Sequence, residues 1–128
     1  GYSVRAAANG RDALALAREL RPRLITLDVM MPSMDGWSVL TALKADPATR
    51  DIPVVMVSIV DDRQLGFALG AADYLTKPVD RARLAEIIAR QVPAASPDAR
   101  LALVVDDLPD NRALLRGLLE REGWRVAE

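Results

Sequence analysis

Short apolar runs, each about as long as one strand, alternate with segments whose apolar residues recur at helical spacing. Several of the runs are apolar at nearly every position, which is typical of strands that are covered on both faces. This alternation predicts an α/β domain with helices on both sides of a parallel sheet. The predicted strands are residues 4–8, 24–27, 54–57, 74–76, 101–105 and 124–127.

Polar side chains come directly after several of these predicted strands. Asp28, Ser58 and Lys77 each follow one apolar run, and the acidic pair Asp106 and Asp107 follows another. Ligands of parallel α/β sheets bind beyond the carboxyl ends of the strands. These side chains are therefore the candidates for a functional site.

The composition excludes many kinds of chemistry. The chain has no Cys and no His, so it holds no disulfide, thiol nucleophile, cysteine zinc site or Ser-His-Asp triad. What remains is chemistry based on carboxylates, hydroxyls, Lys, Arg or a hard metal ion. The net charge of −1 gives no electrostatic case for binding nucleic acid or a membrane surface.

Targeting signals are also missing from the pattern of apolar residues. The longest apolar runs are far shorter than the roughly 20 residues of a membrane-spanning helix, and no signal peptide is recognisable. We therefore expect a cytoplasmic domain.

Lys44 and Lys77 are the only lysines among seventeen basic residues, so a lysine at the end of a strand suggests a specific need.

The chain also contains a linker and an internal echo. Residues 93–100 have the composition of a linker, with prolines, alanines and a serine. Residues 123–127 (GWRVA) resemble residues 1–5 (GYSVR), and both segments look like the same strand of the same fold.

Four motifs together resemble the receiver domain of two-component response regulators, and most of all the receivers of hybrid sensor histidine kinases. The motifs are residues 27–36 (LDVMMPSMDG), 54–58 (VVMVS), 70–78 (GAADYLTKP) and 104–107 (VVDD). The resemblance implies a doubly wound, flavodoxin-like α/β fold. Its sheet would have five parallel strands in the order 2-1-3-4-5.

The order of the motifs differs from that of the family, in which the acidic pair ends the first strand. We expect residues 1–92 to be a receiver portion from second strand to fifth helix, followed by the linker 93–100. Residues 101–128 would then be the first strand, the first helix and a second-strand copy of a following receiver. Either a circular permutation or a segment spanning two tandem receivers fits, and the duplicated strand favours the latter.

The final segment can complete the sheet in two ways. The eight-residue linker spans at most about 26–29 Å, which is ample if the preceding helix ends where residues 101–105 begin. Closure within one chain is therefore feasible. The alternative is a swapped homodimer, in which residues 101–128 complete a neighbouring copy.

The resemblance assigns a phosphoacceptor and a metal site. Asp28 would accept the phosphoryl group, with Asp28 and Asp107 binding Mg²⁺ directly. Asp106 would act through water, and the backbone carbonyl of Met30 would supply another ligand. Mg²⁺ prefers such oxygen ligands. Without the other motifs, Asp28 would be read as a loop-capping residue and the acidic pair as helix N-terminal acids.

The remaining roles also follow from the resemblance. Lys77 would bind the phosphoryl group and pair with Asp28 at rest, whereas Lys44 has the features of a solvated surface lysine. Ser58 and Tyr74 would form the switch. Taken alone, Ser58 is more simply interpreted as an ordinary strand-end Ser, and for Tyr74 a plain strand-forming role is an equal alternative. Pro78 would be the cis-proline, and the responding face would be the fourth helix, fifth strand and fifth helix.

One departure concerns the residue after Ser58, which is usually small in the family. Here Ile59 and Val60 follow, and their bulk would change access to the site.

The function implied is that of a phosphoacceptor signalling domain rather than an enzyme, with a histidine kinase or a histidine phosphotransfer domain as partner. One alternative is a Mg²⁺-dependent aspartyl-phosphate phosphohydrolase. That chemistry needs a general acid two residues after the nucleophile, and Met30 stands there. A second alternative is a pseudo-receiver that serves only as a structural pairing module.

Overall fold

The computed structural model describes residues 2–31, 34–59, 61–91, 100–121 and 124–126. Six strands and five helices are formed within these ranges. Along the chain they are β1 (Tyr2–Ala7), α1 (Gly10–Leu20), β2 (Leu24–Leu27), α2 (Gly36–Ala45), β3 (Val54–Ser58), α3 (Arg63–Ala68), β4 (Asp73–Thr76), α4 (Arg81–Gln91), β5 (Arg100–Val105), α5 (Pro109–Arg121) and β6 (Trp124–Val126).

All the strand pairs are parallel, and the sheet has the order β4-β3-β2-β5-β1-β6. The predicted parallel α/β architecture is thereby confirmed. The predicted number of five strands is wrong, because β6 adds a sixth strand outside β1. β6 therefore lies beside β1, with Tyr2 opposite Trp124 and Val4 opposite Val126.

The second-to-last strand along the chain, β5, lies in the interior of the sheet. It pairs with β1 along one edge and with β2 along the other. Its residues from Ala102 to Val105 are at most 1% exposed. In this structure the final segment thus completes the sheet of its own chain. Arg100 belongs to β5 rather than to the predicted linker, whose other residues lie outside the described ranges.

Alternate side chains of the strands enter two apolar layers. One layer lies under α1 and α2 and includes Ile25, Leu103 and Leu40. The other lies under α4 and α5 and includes Leu24 and Val104. Burial on both faces explains why β2, β3 and β5 are apolar at almost every position.

Capping acids and amides begin the helices immediately after the loops that follow the strands. Asn9 accepts a hydrogen bond from the backbone N–H of Asp12 at 2.9 Å, and Asp35 accepts one from Ser38 at 2.8 Å. Such caps satisfy the unpaired N–H groups of a first helical turn. They keep the loops at the carboxyl edge of the sheet short, so the strand-end side chains stay together.

Lys44 is not the solvated surface lysine that the sequence suggested. Its half-buried ammonium donates hydrogen bonds to the carbonyl oxygens of Arg50 (3.0 Å) and Ile52 (2.8 Å). Burial lowers the pKa of Lys44 below its usual value. The turn between α2 and β3 folds back over this side chain, and only the tertiary fold reveals that. Among the described residues, no helix is long and apolar enough to cross a membrane.

The strand order predicts which cysteine pairs will form disulfides in this cysteine-free chain. Neighbouring in-register strands lie within disulfide range, and Val4 stands opposite both Ala102 and Val126. Oxidation should link Val4→Cys to Ala102→Cys, and Val4→Cys to Val126→Cys. The pair Val126→Cys and Ala102→Cys should stay reduced, because β1 separates these strands. Linkage of that third pair within one chain, read by peptide mass mapping, would contradict the strand order.

Candidate functional site

The site is centred on three carboxylates at the carboxyl ends of β2 and β5. Asp28 and Asp106 are buried, at 5% and 1% exposure, and Asp107 is half-buried. One oxygen from each of the three lies within 4.8 Å of the others. The adjacency of β2 and β5 causes this meeting, because the N–H of Asp28 donates to the carbonyl of Val105 at 2.9 Å. The structure therefore brings together the three predicted acids.

The ammonium of Lys77 lies between two of these acids. Its Nζ is 2.7 Å from Oδ2 of Asp106 and 3.4 Å from Oδ2 of Asp28. The expected contact with Asp28 is present, but the shorter one is with Asp106. The Lys77–Pro78 peptide bond is cis, and the N–H of Lys77 donates to the carbonyl of Ser58 at 2.9 Å.

The surroundings of Asp28 oppose its charge on balance. Burial raises the pKa of this carboxyl above its ordinary value, and the nearby Asp106 adds to the rise. The Lys77 ammonium and hydrogen bonds from the Met30 backbone and the Ser58 side chain act in the opposite direction. Crowded buried carboxylates favour a bound cation, because a positive charge relieves both desolvation and mutual repulsion.

The two acids after β5 differ in what already binds them. Oδ1 of Asp106 accepts a hydrogen bond from the N–H of Leu108 at 3.0 Å, and its Oδ2 accepts one from Lys77. Within the described residues, nothing donates a hydrogen bond to the Asp107 carboxylate. Asp107 is therefore the acid of this pair whose oxygens are available to a metal ion.

Ser58 and Tyr74 both point into the molecule. Ser58 is fully buried at the end of β3, with its side chain hydrogen-bonded to Asp28. Tyr74 is 1% exposed, and its hydroxyl accepts a hydrogen bond from the Asp62 N–H at 3.4 Å. The Tyr74 ring stacks on Trp37 with centroids 6.4 Å apart. These contacts place Tyr74 between α2 and the start of α3.

A cavity of about 550 Å³ opens beside Asp28 and Lys77. Its walls are largely apolar, and four of the residues that line it expose half or more of their surface. They are Met30 (54%), Ile59 (70%), Leu108 (53%) and Leu114 (53%). The bulk of Ile59 therefore lies at the rim of the site, whereas Val60 falls outside the described residues.

Sequence reasoning missed the structural roles of Gly36 and Arg112. A Cβ at Gly36 would lie 2.1 Å from the carbonyl oxygen of Asp28, so the loop after β2 can close only with glycine there. Arg112 donates from Nη1 to the carbonyl of Asp106 at 2.8 Å. Gly36 belongs to the motif of residues 27–36, which indicated only the resemblance to receiver domains. No feature of the sequence distinguishes Arg112 from the other arginines of this arginine-rich chain.

Comparison with known proteins identifies the family. Residues 1–89 match the response regulator receiver domain. The chain is 43% identical over 115 residues to the response regulator PleD of Caulobacter vibrioides, a match that covers 88% of this chain and 24% of PleD. It is 41% identical over 91 residues to the protein PilH of Pseudomonas aeruginosa, covering 69% of this chain and 75% of PilH.

Solved structures of receiver domains and chemotaxis proteins resemble the fold of this chain. The signal receiver domain of a signal transduction histidine kinase from Syntrophus aciditrophicus superposes with a TM-score of 0.62 at 27% identity. That match covers 75% of this chain and 96% of the other. The chemotaxis protein CheY4 of Vibrio cholerae gives a TM-score of 0.63 at 26% identity, covering 71% and 98% of the two chains.

The fold and the acidic site define a signalling domain of the two-component class. The chain belongs to the response regulator receiver domain family. Receiver domains are phosphorylated by histidine kinases or phosphotransfer proteins, and they bind Mg²⁺ at an acidic cluster. The chain spans only about a quarter of the length of PleD, since the match covers 24% of that protein.

The raised pKa of Asp28 predicts how stability depends on pH. In metal-free buffer the folded state binds this proton more tightly than the unfolded state, so ionisation of Asp28 lowers stability as pH rises above its ordinary pKa of 3.8. Asp28→Asn should therefore raise the free energy of unfolding at pH 7, and the gain should shrink as pH falls towards 3.8. Urea denaturation with EDTA measures both effects.

The exposed acid Asp61 provides the control for this experiment. Its side chain is 62% exposed, so Asp61→Asn should change stability little at either pH. A destabilised Asp28→Asn protein at pH 7 would show that the contacts of the carboxylate outweigh its burial.

Proposed function

We propose that this domain accepts a phosphoryl group on Asp28 from a phosphohistidine of a histidine kinase or phosphotransfer partner, with Mg²⁺ as cofactor. The observation that supports this most is the meeting of Asp28, Asp106, Asp107 and Lys77 at one edge of the sheet, beside a cavity open to a donor. Because the chain has no His, the donor must come from outside it.

The proposed reaction is an in-line displacement at phosphorus. An oxygen of the Asp28 carboxylate forms a new P–O bond while the P–N bond of the phosphohistidine breaks, and the imidazole nitrogen keeps the bonding pair and takes up a proton. The product is an acyl phosphate on Asp28. The family resemblance suggests the role, and the Asp28 carboxylate lines the cavity from which a donor would approach this nucleophile.

The residues that would hold the cation fit a hard metal, because their donors are all oxygens. Asp28 and Asp107 would bind directly, with the Met30 carbonyl as a further ligand. Asp106 would act through water, which suits a carboxylate already engaged by Leu108 and Lys77. When bound, Mg²⁺ would neutralise charge on the transferred group and help to align it.

Lys77 and Ser58 would bind the oxygens of the transferred group. In the unphosphorylated domain the ammonium of Lys77 lies between Asp106 and Asp28, so a short movement would bring it to a phosphoryl oxygen. The hydroxyl of Ser58 already bonds to Asp28 and would donate to a second oxygen. A single mobile ammonium suits such a change of partner better than the planar fork of arginine.

The proposed response is a change at the face made by α3, β4 and α4. Tyr74 connects the site to this face, because it lies on β4 and bonds to Asp62 at the start of α3. Movement of the Ser58 hydroxyl towards a phosphoryl group would change the space beside the ring. This switch would transmit a local electrostatic event to a remote surface.

We further propose that the chain combines the body of one receiver, residues 1–92, with the head of a following one, residues 101–128. The duplicated strand pattern of residues 1–5 and 123–127 supports a segment spanning two tandem receivers over a circular permutation. The PleD match covers 88% of this chain in one alignment and so extends beyond the 89 residues of the receiver match. The Syntrophus structure is a histidine kinase receiver, which supports the hybrid-kinase assignment.

Phosphorylation of Asp28 can be tested by intact-protein mass spectrometry after incubation with a small phosphodonor and Mg²⁺. One phosphoryl group should be added to the unmodified protein and to the Asp61→Asn control. Asp28→Asn should gain none, because the amide is a poor nucleophile. Equal modification of Asp28→Asn, or none in the folded parent protein, would refute the proposed function.

Closure within one chain predicts a monomer in solution, because β5 already has both of its strand partners. Light scattering after size exclusion gives the mass directly. A dimer in which Val4→Cys and Ala102→Cys link two chains would instead support the swapped arrangement.

A further inference from the structure

Asp106 is held by four different polar contacts. Its N–H donates to the carbonyl of Ala7 at 3.1 Å, and its two carboxylate oxygens accept from Leu108 and Lys77. The fourth contact comes from α5, where Nη1 of Arg112 donates to the backbone carbonyl of Asp106 at 2.8 Å. Strand pairing and the acidic site explain the first three contacts, but they do not explain the contact with Arg112.

The carbonyl that Arg112 binds belongs to the peptide group between Asp106 and Asp107. A peptide group is planar, so fixing the direction of its carbonyl also restricts the position of the next Cα. That next residue is Asp107, whose carboxylate is available to a metal ion. A contact on the Asp106 carbonyl can therefore control where the Asp107 carboxylate lies.

Arg112 is itself well fixed for this role. Its N–H donates to the carbonyl of Leu108 at 3.1 Å, within the first turn of α5. Its half-buried side chain lines a cleft with Ala7 and with Asp12 of α1. A hydrogen bond from a charged guanidinium is stronger than one between neutral groups.

The contact acts on geometry rather than on the acidity of the phosphoacceptor. The pKa of Asp28 responds to burial, Lys77, Asp106, Met30 and Ser58, and Arg112 is not among these causes.

We propose that Arg112 is a positioning residue of the metal site, which orients the peptide between Asp106 and Asp107 so that the Asp107 carboxylate faces Asp28. This inference rests on the proposed function, because it assumes that these acids bind Mg²⁺. Groups that orient metal ligands typically change metal affinity about 10–100-fold when they are removed. The loss of Arg112 should therefore appear in Mg²⁺ binding itself, without any phosphodonor.

The test is titration calorimetry of the full chain with MgCl₂. Arg112→Met keeps the length of the side chain but removes the donor, and should weaken Mg²⁺ binding by about tenfold. Arg112→Lys keeps the charge without the planar fork, and should bind Mg²⁺ with intermediate affinity. If Arg112→Met does not fold, Arg112→Lys decides alone: reduced affinity supports the proposal, and unchanged affinity overturns it.

Arg90→Met is the matched control. Arg90 is a helical arginine that pairs with Asp73 at 3.6 Å. Asp73 begins β4 and therefore lies at the amino ends of the strands, away from the acidic site at their carboxyl ends. Its Mg²⁺ affinity should equal that of the parent protein. An equal loss in this control would indicate a general charge or stability effect and would overturn the proposal.

Asp107→Asn distinguishes failure of the proposed metal site from failure of the proposed role of Arg112. Its binding should be much weaker than that of Arg112→Met. If the parent protein and Asp107→Asn do not differ, the proposed metal site fails, and the role of Arg112 fails with it. If Asp107→Asn loses binding while Arg112→Met and Arg112→Lys match the parent protein, only the role of Arg112 is refuted.

Discussion

The insertion of β5 between β1 and β2 is the constraint on which the rest of the structure depends. A strand in this position uses backbone hydrogen bonds on both edges and buries side chains in both apolar layers. Without it, β1 and β2 would have unpaired edges in the middle of the protein, which is costly in a buried environment. The same strand ends at Asp106 and Asp107. Folding of the sheet and assembly of the acidic site are therefore one event.

The site concentrates negative charge that the protein only partly compensates. Lys77 is the one lysine near the three acids, and it contacts two of them. Burial still raises the pKa of Asp28. The proposed binding of a divalent cation would relieve this residual imbalance. The apolar rim formed by Met30, Ile59, Leu108 and Leu114 surrounds this charged centre.

Much of the fold could be predicted because its signals are local. Apolar runs such as residues 54–57 identify strands that are covered on both faces, and the helical spacing of apolar residues identifies the segments between the strands. The error in strand number has a physical origin. Residues 1–5 and 123–127 carry the same strand pattern, and pattern alone does not decide whether two copies exclude each other or pair. Parallel pairing of β1 with β6 accommodates both.

The sequence by itself determined the residue types of the site and their places at strand ends, because both follow from local pattern and from the family motifs. Only the tertiary structure decided which partners they have. Lys77 lies closer to Asp106 than to Asp28, Lys44 is half-buried, and Arg112 reaches the backbone of Asp106. The contacts of Lys77 join segments far apart in the chain, whereas those of Lys44 and Arg112 span only six to eight residues across a turn. In all three cases the geometry exists only once the sheet and its helices have packed.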